Sequence, residues 1–235
     1  MALLDEINAD IASALTTPWN HRTATALPTS QNVLLGGGAA EIEAVFLYAD
    51  LANSSKIAKE LDRRIAARIL KAFLSTSSRL IRARSGHVVS FDGDRVLGVF
   101  IDGPKNTNAA RCALNIAWSV QQIRNRFSNT YSSVRDASFQ ITHGVGIDRG
   151  TVLAVRAGIR NANDLIWIGR APNLAAKLSD IRDFPNTTHV TATVYNTLLD
   201  SSKLAYDGTN MWSAATWTFL GENIRVYRSR YYAQP

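Results

Sequence analysis

GHVVSFDGDRVLGVF, residues 86–100, decides how this chain is read. Two β-branched and aromatic runs, 87–91 and 95–100, meet at Asp92-Gly93, and Asp-Gly supplies the positive φ values that a tight type I′ hairpin turn needs. The turn accounts for Asp92. It does not account for Asp94, which opens the return strand, where Asp is disfavoured and a Val or Thr packs better on a pleated surface. Either Asp94 is a second polar residue at an exposed strand end, or it is placed for its carboxylate.

A second strand-associated acid lies upstream. AVFLYADL, 44–51, reads as a buried strand ending on Asp50, and residues 52–86 follow as a short loop and one long helix with Asn53, Ser54 and Ser55 as candidate N-caps. After the hairpin, residues 106–127 carry Ala110, Leu114, Ala117 and Val120 at helical spacing. SFQITHGVGIDRGTVLAVRAG, 138–158, reads as a strand, a turn at Asp148-Arg149-Gly150 and a return strand. GRAPNLAAKLSDIRD is a third helix, HVTATVYNTLL a short strand running into a helix, and WTFLGENIRVYRSRYY a terminal strand pair. The order β-α-β-β-α-β predicts an α+β fold, a ferredoxin-like split βαβ with an antiparallel-rich sheet and helices covering one face.

Upstream of this, Leu4, Ile7, Ile11 and Leu15 form one face of an amphipathic helix suited to packing on the body or on a partner subunit. Residues 16–32, rich in Thr, Ser, Asn and Pro, read as a linker, and Gly36-Gly37-Gly38 as a flexible joint. The expected organisation is an N-terminal helix and linker over 1–40 and one catalytic-sized domain over 41–235.

At 235 residues and 46% hydrophobic, the chain can bury a full core. Its apolar runs fall short of the roughly 20 residues that span a bilayer, and its N-terminus is acidic where a signal peptide is basic, so a cytoplasmic protein without membrane insertion is expected. The one cysteine, Cys112, excludes disulfides and thiolate clusters and reads as core filler. A net charge of +7 suits a polyanion, either nucleic acid or a nucleoside triphosphate. No nucleic-acid motif or aromatic platform is present; Trp118, Trp167, Trp212 and Trp217 fall in helical or strand patterns, and no nucleic-acid partner is expected. His87 and His143 have no second histidine at metal spacing and read as structural.

In the expected topology Asp50 and Asp94 sit on adjacent strands. A hard divalent cation needs little beyond carboxylate oxygens and substrate phosphates, so two acids and a nucleotide suffice for a site. Residues 52–55, opening a helix directly after Asp50, offer backbone N–H groups and the positive helix end to a polyphosphate.

AVFLYADLANSS, GHVVSFDGDRVLGVF and HGVGIDRGTVLAVRAGIRNANDLIWIGRAPNLAAKLSD together, in this order and spacing, resemble the catalytic domain of class III nucleotidyl cyclases over about residues 41–230. The resemblance answers the question of Asp94: Asp50 and Asp94 match the family's two metal aspartates. It implies that these two acids, helped by the Leu51 carbonyl, hold two Mg²⁺ or Mn²⁺ ions per site while the ribose 3′-oxygen attacks the α-phosphorus in line and pyrophosphate leaves. It also implies that Asn173 and Lys177 are catalytic, orienting the ribose and stabilising charge on the α-phosphate. Lys177 departs from the family's Arg, keeping the charge and losing the planar fork. The family's C-terminal phosphate-binding lysine has no clear match, with Arg225 as the nearest candidate. The resemblance further implies a head-to-tail homodimer in which each site takes its acids from one copy and its Asn and Lys from the other.

The family's purine-reading positions fall on Ser90 and Ile166, which cannot reproduce the donor and acceptor pattern of adenine or guanine recognition. Tyr48, on the same strand face as Asp50, shortens the pocket. The binding residues expected for the nucleotide are thus Tyr48, Asn53, Ser54, Ser55, Ser90 and Ile166. FDGDRVLGVF and PNLAAKLSD look like the bacterial pyrimidine cyclases of antiphage defence, which implies UTP cyclised to 3′,5′-cyclic UMP, a second messenger for a cyclic-nucleotide-binding effector. A cytidylate or adenylate cyclase, or a catalytically silent nucleotide sensor, stays open at this point.

Overall fold

The computed structural model describes residues 2–235. Along the chain run α1 (Leu3–Thr16), β1 (Asn20–Thr23), β2 (Gly38–Ala52), α2 (Ser54–Glu60), α3 (Arg63–Ala83), β3 (His87–Asp92) and β4 (Arg95–Phe100). These are followed by α4 (Lys105–Thr130), α5 (Ser132–Arg135), β5 (Thr142–Ile159), β6 (Ala162–Ile168), α6 (Arg170–Ser179) and β7 (Thr188–Thr191). The chain closes with α7 (Ala192–Tyr195), α8 (Asp200–Lys203), β8 (Ser213–Phe219) and β9 (Glu222–Ser229). None of the described helices is long and apolar enough to cross a membrane.

Two compact units share β2 and β5. The larger, residues 45–149 and 171–235, holds the sheet β3-β4-β2-β5-β7-β9-β8. Its first four strands are the β-α-β-β-α-β of a ferredoxin-like split βαβ, with β4 antiparallel to both β2 and β3. Alternation along β2 turns Val45, Leu47, Ala49 and Leu51 to one face, where they meet Ile69 and Phe73 of α3 and Ala113 and Ile116 of α4 in the main core. Cys112 is buried there, as its pattern predicts.

The other face of the same sheet is not left bare. Gly144 and Gly146 alternate with the core residues Val145 and Ile147, and they lie against α6: a Cβ on Gly146 would stand 2.0 Å from the Ala175 carbonyl oxygen, and one on Gly144 2.2 Å from that of Ser179. Leu174 and Leu178 of α6 add a second, smaller core with Val226, Trp217 and Phe219. The expectation of helices on one face is therefore corrected: two glycines, by lacking side chains, admit a third helix on the opposite side.

Other readings are also corrected. The long helix after Asp50 is two, broken at Leu61-Asp62, where the Asp62 carboxylate caps α3 by accepting from the Arg64 N–H. The turn expected at 148–150 does not form. Asp148 is fully buried and accepts a 2.6 Å hydrogen bond from the Thr191 hydroxyl, so β5 runs straight through.

The smaller unit, residues 1–44 and 150–170, contains the stretch read as linker. That stretch carries β1, paired in parallel with the start of β2 from Asn20↔Gly38 to Thr23↔Glu41. The glycines read as a joint form a fixed turn, with φ of 81° and 92° at Gly36 and Gly37 and no room for a Cβ at Gly38, 2.5 Å from Leu34 backbone. The end of β5 pairs with β6 in a hairpin that turns at Asn161, whose φ is 69°. The apolar residues of α1 are all exposed, and none of that helix is buried within this chain.

Candidate active site

The hairpin that opened the reading turns on Gly93 and Asp94, with Asp92 paired to Arg95. Only Gly93 has a positive φ, 60°, and it occupies the first central position. That is the type II′ pattern and not the expected type I′, so Asp94 belongs to the turn and β4 begins one residue later. The Leu51 N–H donates to the Asp94 carbonyl at 3.3 Å, drawing the turn against the end of β2. This contact brings Asp50 and Asp94 to one cavity of about 400 Å³, lined also by Leu51, Asn53, Ser54, Ser55, Lys56, Arg95, Asp180 and Arg182.

Asp50 is 4% exposed and half-encircled by cations. The Arg182 guanidinium donates to its Oδ2, and Arg95 Nε lies 3.6 Å from its Oδ1. Burial pushes the Asp50 carboxyl above its ordinary range; the Arg182 hydrogen bond opposes this, and the charge of Asp94 reinforces it. Arg95 is held by Asp180 at 2.7 Å, and Lys177 Nζ is 3.9 Å from the other oxygen of Asp180. Three carboxylates and three cationic side chains line the cavity, so its own charges balance.

Register places the base-reading candidates. Ser90 pairs with Leu97, and Leu97 with Tyr48, so all three project from one sheet face, the face of Asp50 and Arg95. Burial raises the Tyr48 hydroxyl pKa, with Arg95 lowering and Asp92 raising it in turn. Tyr48 and Ser90 are half-buried beside the cavity and do not line it. Ile166 lies in the smaller unit, exposed on β6 opposite Val155.

Asn53 adopts a left-handed φ of 63° and sends its amide to the Gln140 carbonyl at 3.3 Å. It starts α2 without a side-chain cap, and neither Ser54 nor Ser55 serves as the N-cap. Asn173 and Lys177 project from the exposed side of α6, opposite the buried Leu174 and Leu178, and do not line this chain's cavity. Arg225 sits on β9 with its guanidinium 5.8 Å from the Tyr227 ring centre.

Lys56, Arg95, Asp180 and Arg182 escaped the sequence reading. The available signal was position: Arg95 follows Asp94 directly, and Asp180 and Arg182 follow the last turn of α6. His143, read as structural, is buried, and burial with Arg182 and Arg124 nearby holds its pKa down at about 3.

The donor set suits a hard divalent cation. Two carboxylates line one cavity, and the charge of Asp94 adds to burial in raising the pKa of Asp50. Among the described residues no three His, Cys, Asp or Glu side chains are grouped so that they could hold a metal ion by themselves, so phosphate oxygens would have to complete any coordination shell, as Mg²⁺ sites commonly require.

No model of a known protein family matches the chain. A uridylate cyclase from Rhodovulum sp. (strain MB263) is 48% identical over 237 residues, spanning 100% of this chain and 99% of that protein. Uridylate cyclases from Burkholderia cepacia and Xanthomonas perforans are 38% and 36% identical, covering 94% and 98% of this chain and 95% and 98% of theirs. The adenylyl cyclase CyaB from P. aeruginosa and the guanylyl cyclase Cya2 share the fold, each with a TM-score of 0.67, at 14% and 13% identity; the matches cover 81% and 83% of this chain and 95% of each of theirs.

Proposed function

This chain belongs to the uridylate cyclase family and is a class III nucleotidyl cyclase, and from that premise we propose that it converts UTP to 3′,5′-cyclic UMP and pyrophosphate. The single observation that carries the reading is the convergence of Asp50 and Asp94 on a cavity that also holds Lys56, Arg95 and Arg182. Paired acids hold cations, and clustered bases receive phosphates.

Asp50 and Asp94, with the Leu51 carbonyl, would hold Mg²⁺ or Mn²⁺. Such ions supply charge neutralisation at the phosphates and a more acidic ribose 3′-hydroxyl. The chain's own residues do the rest. Lys56 and the polar groups of Asn53, Ser54 and Ser55 receive phosphate oxygens. Burial of Asp50 keeps bulk water from its carboxylate and strengthens each interaction made there. Tyr48 and Ser90 face the base from the sheet; the phenol limits depth, and the seryl hydroxyl offers one hydrogen bond, a match for a pyrimidine more than a purine. Ile166, at the family's second base-reading position, offers the base an apolar side chain and no hydrogen bond.

Asn173 and Lys177 do not line this chain's cavity, and in the proposed enzyme they complete the site of a second copy. A head-to-tail homodimer then has two equivalent sites, with Asn173 orienting the ribose and Lys177 stabilising charge on the α-phosphate as the 3′-oxygen attacks. The cyclic pyrimidine nucleotide serves as a second messenger of antiviral defence, read by a separate effector.

Complementation tests this arrangement. Asp50→Asn and Asn173→Ala are each inactive with UTP and Mn²⁺. Mixing them equally restores up to about one quarter of wild-type turnover, because half the dimers are mixed and each of those holds one intact site. No recovery from a mixture whose subunits demonstrably exchange contradicts the two-copy site.

A further inference from the structure

Arg182 and Arg95 both face Asp50, and they are not held alike. Arg95 has its own acid, Asp180, at 2.7 Å. Arg182 has none: among the described residues Asp50 is its only carboxylate partner. Its second contact is neutral, a 2.6 Å hydrogen bond from Nη1 to the Ser179 carbonyl in the last turn of α6. Room for this guanidinium is built into β5. A Cβ on Gly144 would stand 2.8 Å from Arg182 Nη1, so any larger residue there would displace it.

A guanidinium on Asp50 Oδ2 and a divalent cation compete for the same buried carboxylate. Mg²⁺ takes carboxylate oxygens at about 2.0–2.1 Å, and the two positive groups repel across that distance. When a cation arrives, Arg95 stays with Asp180. Arg182 loses its charged partner and keeps its tether to Ser179. Pivoting about that tether leaves its free nitrogen at the cavity that Lys56 and residues 53–55 also line.

We propose that Arg182 works in two positions, as the counter-ion of Asp50 in the empty enzyme and as a ligand of the substrate's phosphate oxygens once nucleotide and cation are bound. This rests on Asp50 being a metal ligand, as the proposed function has it. It assigns phosphate binding to a residue just after α6, while Arg225 in the C-terminal strand is stacked on Tyr227. It also makes cation and triphosphate binding cooperative. The cation frees the arginine that grips the phosphates, and by reciprocity the phosphates weaken the arginine's hold on the carboxylate.

The test is Mn²⁺ binding without nucleotide, followed by electron paramagnetic resonance at pH 8, alongside KM for UTP at saturating Mn²⁺. Arg182→Gln should bind Mn²⁺ about tenfold more tightly than wild type and raise KM for UTP about tenfold, couplings of ordinary size for linked sites. Arg182→Lys, which keeps a charge, should bind free Mn²⁺ as weakly as wild type. Unchanged or weaker Mn²⁺ binding by Arg182→Gln overturns the counter-ion role, and an unchanged KM overturns the phosphate role. Asp50→Asn separates the two levels. If it binds Mn²⁺ as wild type does, the metal reading of Asp50 fails; if it does not, a negative result with Arg182→Gln falls on the arginine alone.

Discussion

Gly146→Ala is a one-carbon change that should cripple turnover while leaving the protein folded. The new Cβ would stand 2.0 Å from the Ala175 carbonyl oxygen and 2.5 Å from the Ser179 backbone nitrogen, both main-chain atoms of α6. Ordinary contact begins near 3.4 Å, so the helix must retreat by roughly 3.4 − 2.0 = 1.4 Å or the strand must bend as far. Overpacking of this kind costs about 1–3 kcal/mol, or roughly 2–12 °C of Tm at this chain length. The catalytic cost is larger. Helix α6 carries Asn173 and Lys177, and its last turn anchors Arg182 and Asp180, so all four move with it. A misplacement of about 1 Å costs on the order of 100-fold in rate. Thermal melting and UTP turnover measured side by side decide the matter. Gly98→Ala is the comparison: the three atoms nearest its Cβ are side-chain atoms of Ile81, at 3.0–3.1 Å, with no main-chain atom among them, and it should lower Tm with little effect on turnover. Wild-type turnover in Gly146→Ala, or equal losses in both variants, would refute the argument that the glycines set the position of α6.

Other outcomes follow from the same geometry. Lys177→Ala should lower kcat about 100-fold with Tm unchanged, since the side chain is exposed; Lys177→Arg should retain most of the activity. Tyr48→Ala should shift selectivity, raising ATP turnover relative to UTP in a competition assay, because the phenol's volume is removed from the base side of the sheet. Stability should fall with acidification from about pH 6.5 toward pH 4: burial holds His143 near 3 and His189 near 4, so in that window the unfolded chain takes up the protons first. A Tm-versus-pH curve that is equally steep in a double His143→Gln, His189→Gln variant would assign that loss to other groups.

Much of this was legible in the sequence because it is periodic or local. The alternation of β2, the Asp-Gly of the hairpin and the helical spacing of α4 announced the split βαβ, and two acids at strand ends announced the cavity. What escaped depends on partners distant in sequence. Asp148-Arg149-Gly150 has turn composition, and only the Thr191 hydroxyl on a neighbouring strand makes an extended, buried Asp148 tolerable. Residues 16–32 have linker composition, and pairing with β2 turns four of them into a strand. Asp180 and Arg182 look like ordinary solvated charges after a helix. Their roles come from α6 being set against Gly144 and Gly146, a contact between segments about 30 residues apart that no local pattern encodes.

The most direct measurement is to incubate the full chain with equal concentrations of ATP, GTP, CTP and UTP and Mn²⁺, identify the products by mass, and repeat with Asp50→Asn. The account predicts 3′,5′-cyclic UMP in excess over any other cyclic nucleotide, with matching pyrophosphate, and neither from the variant. Cyclic AMP or cyclic GMP as the main product, or cyclic UMP undiminished by Asp50→Asn, would contradict it.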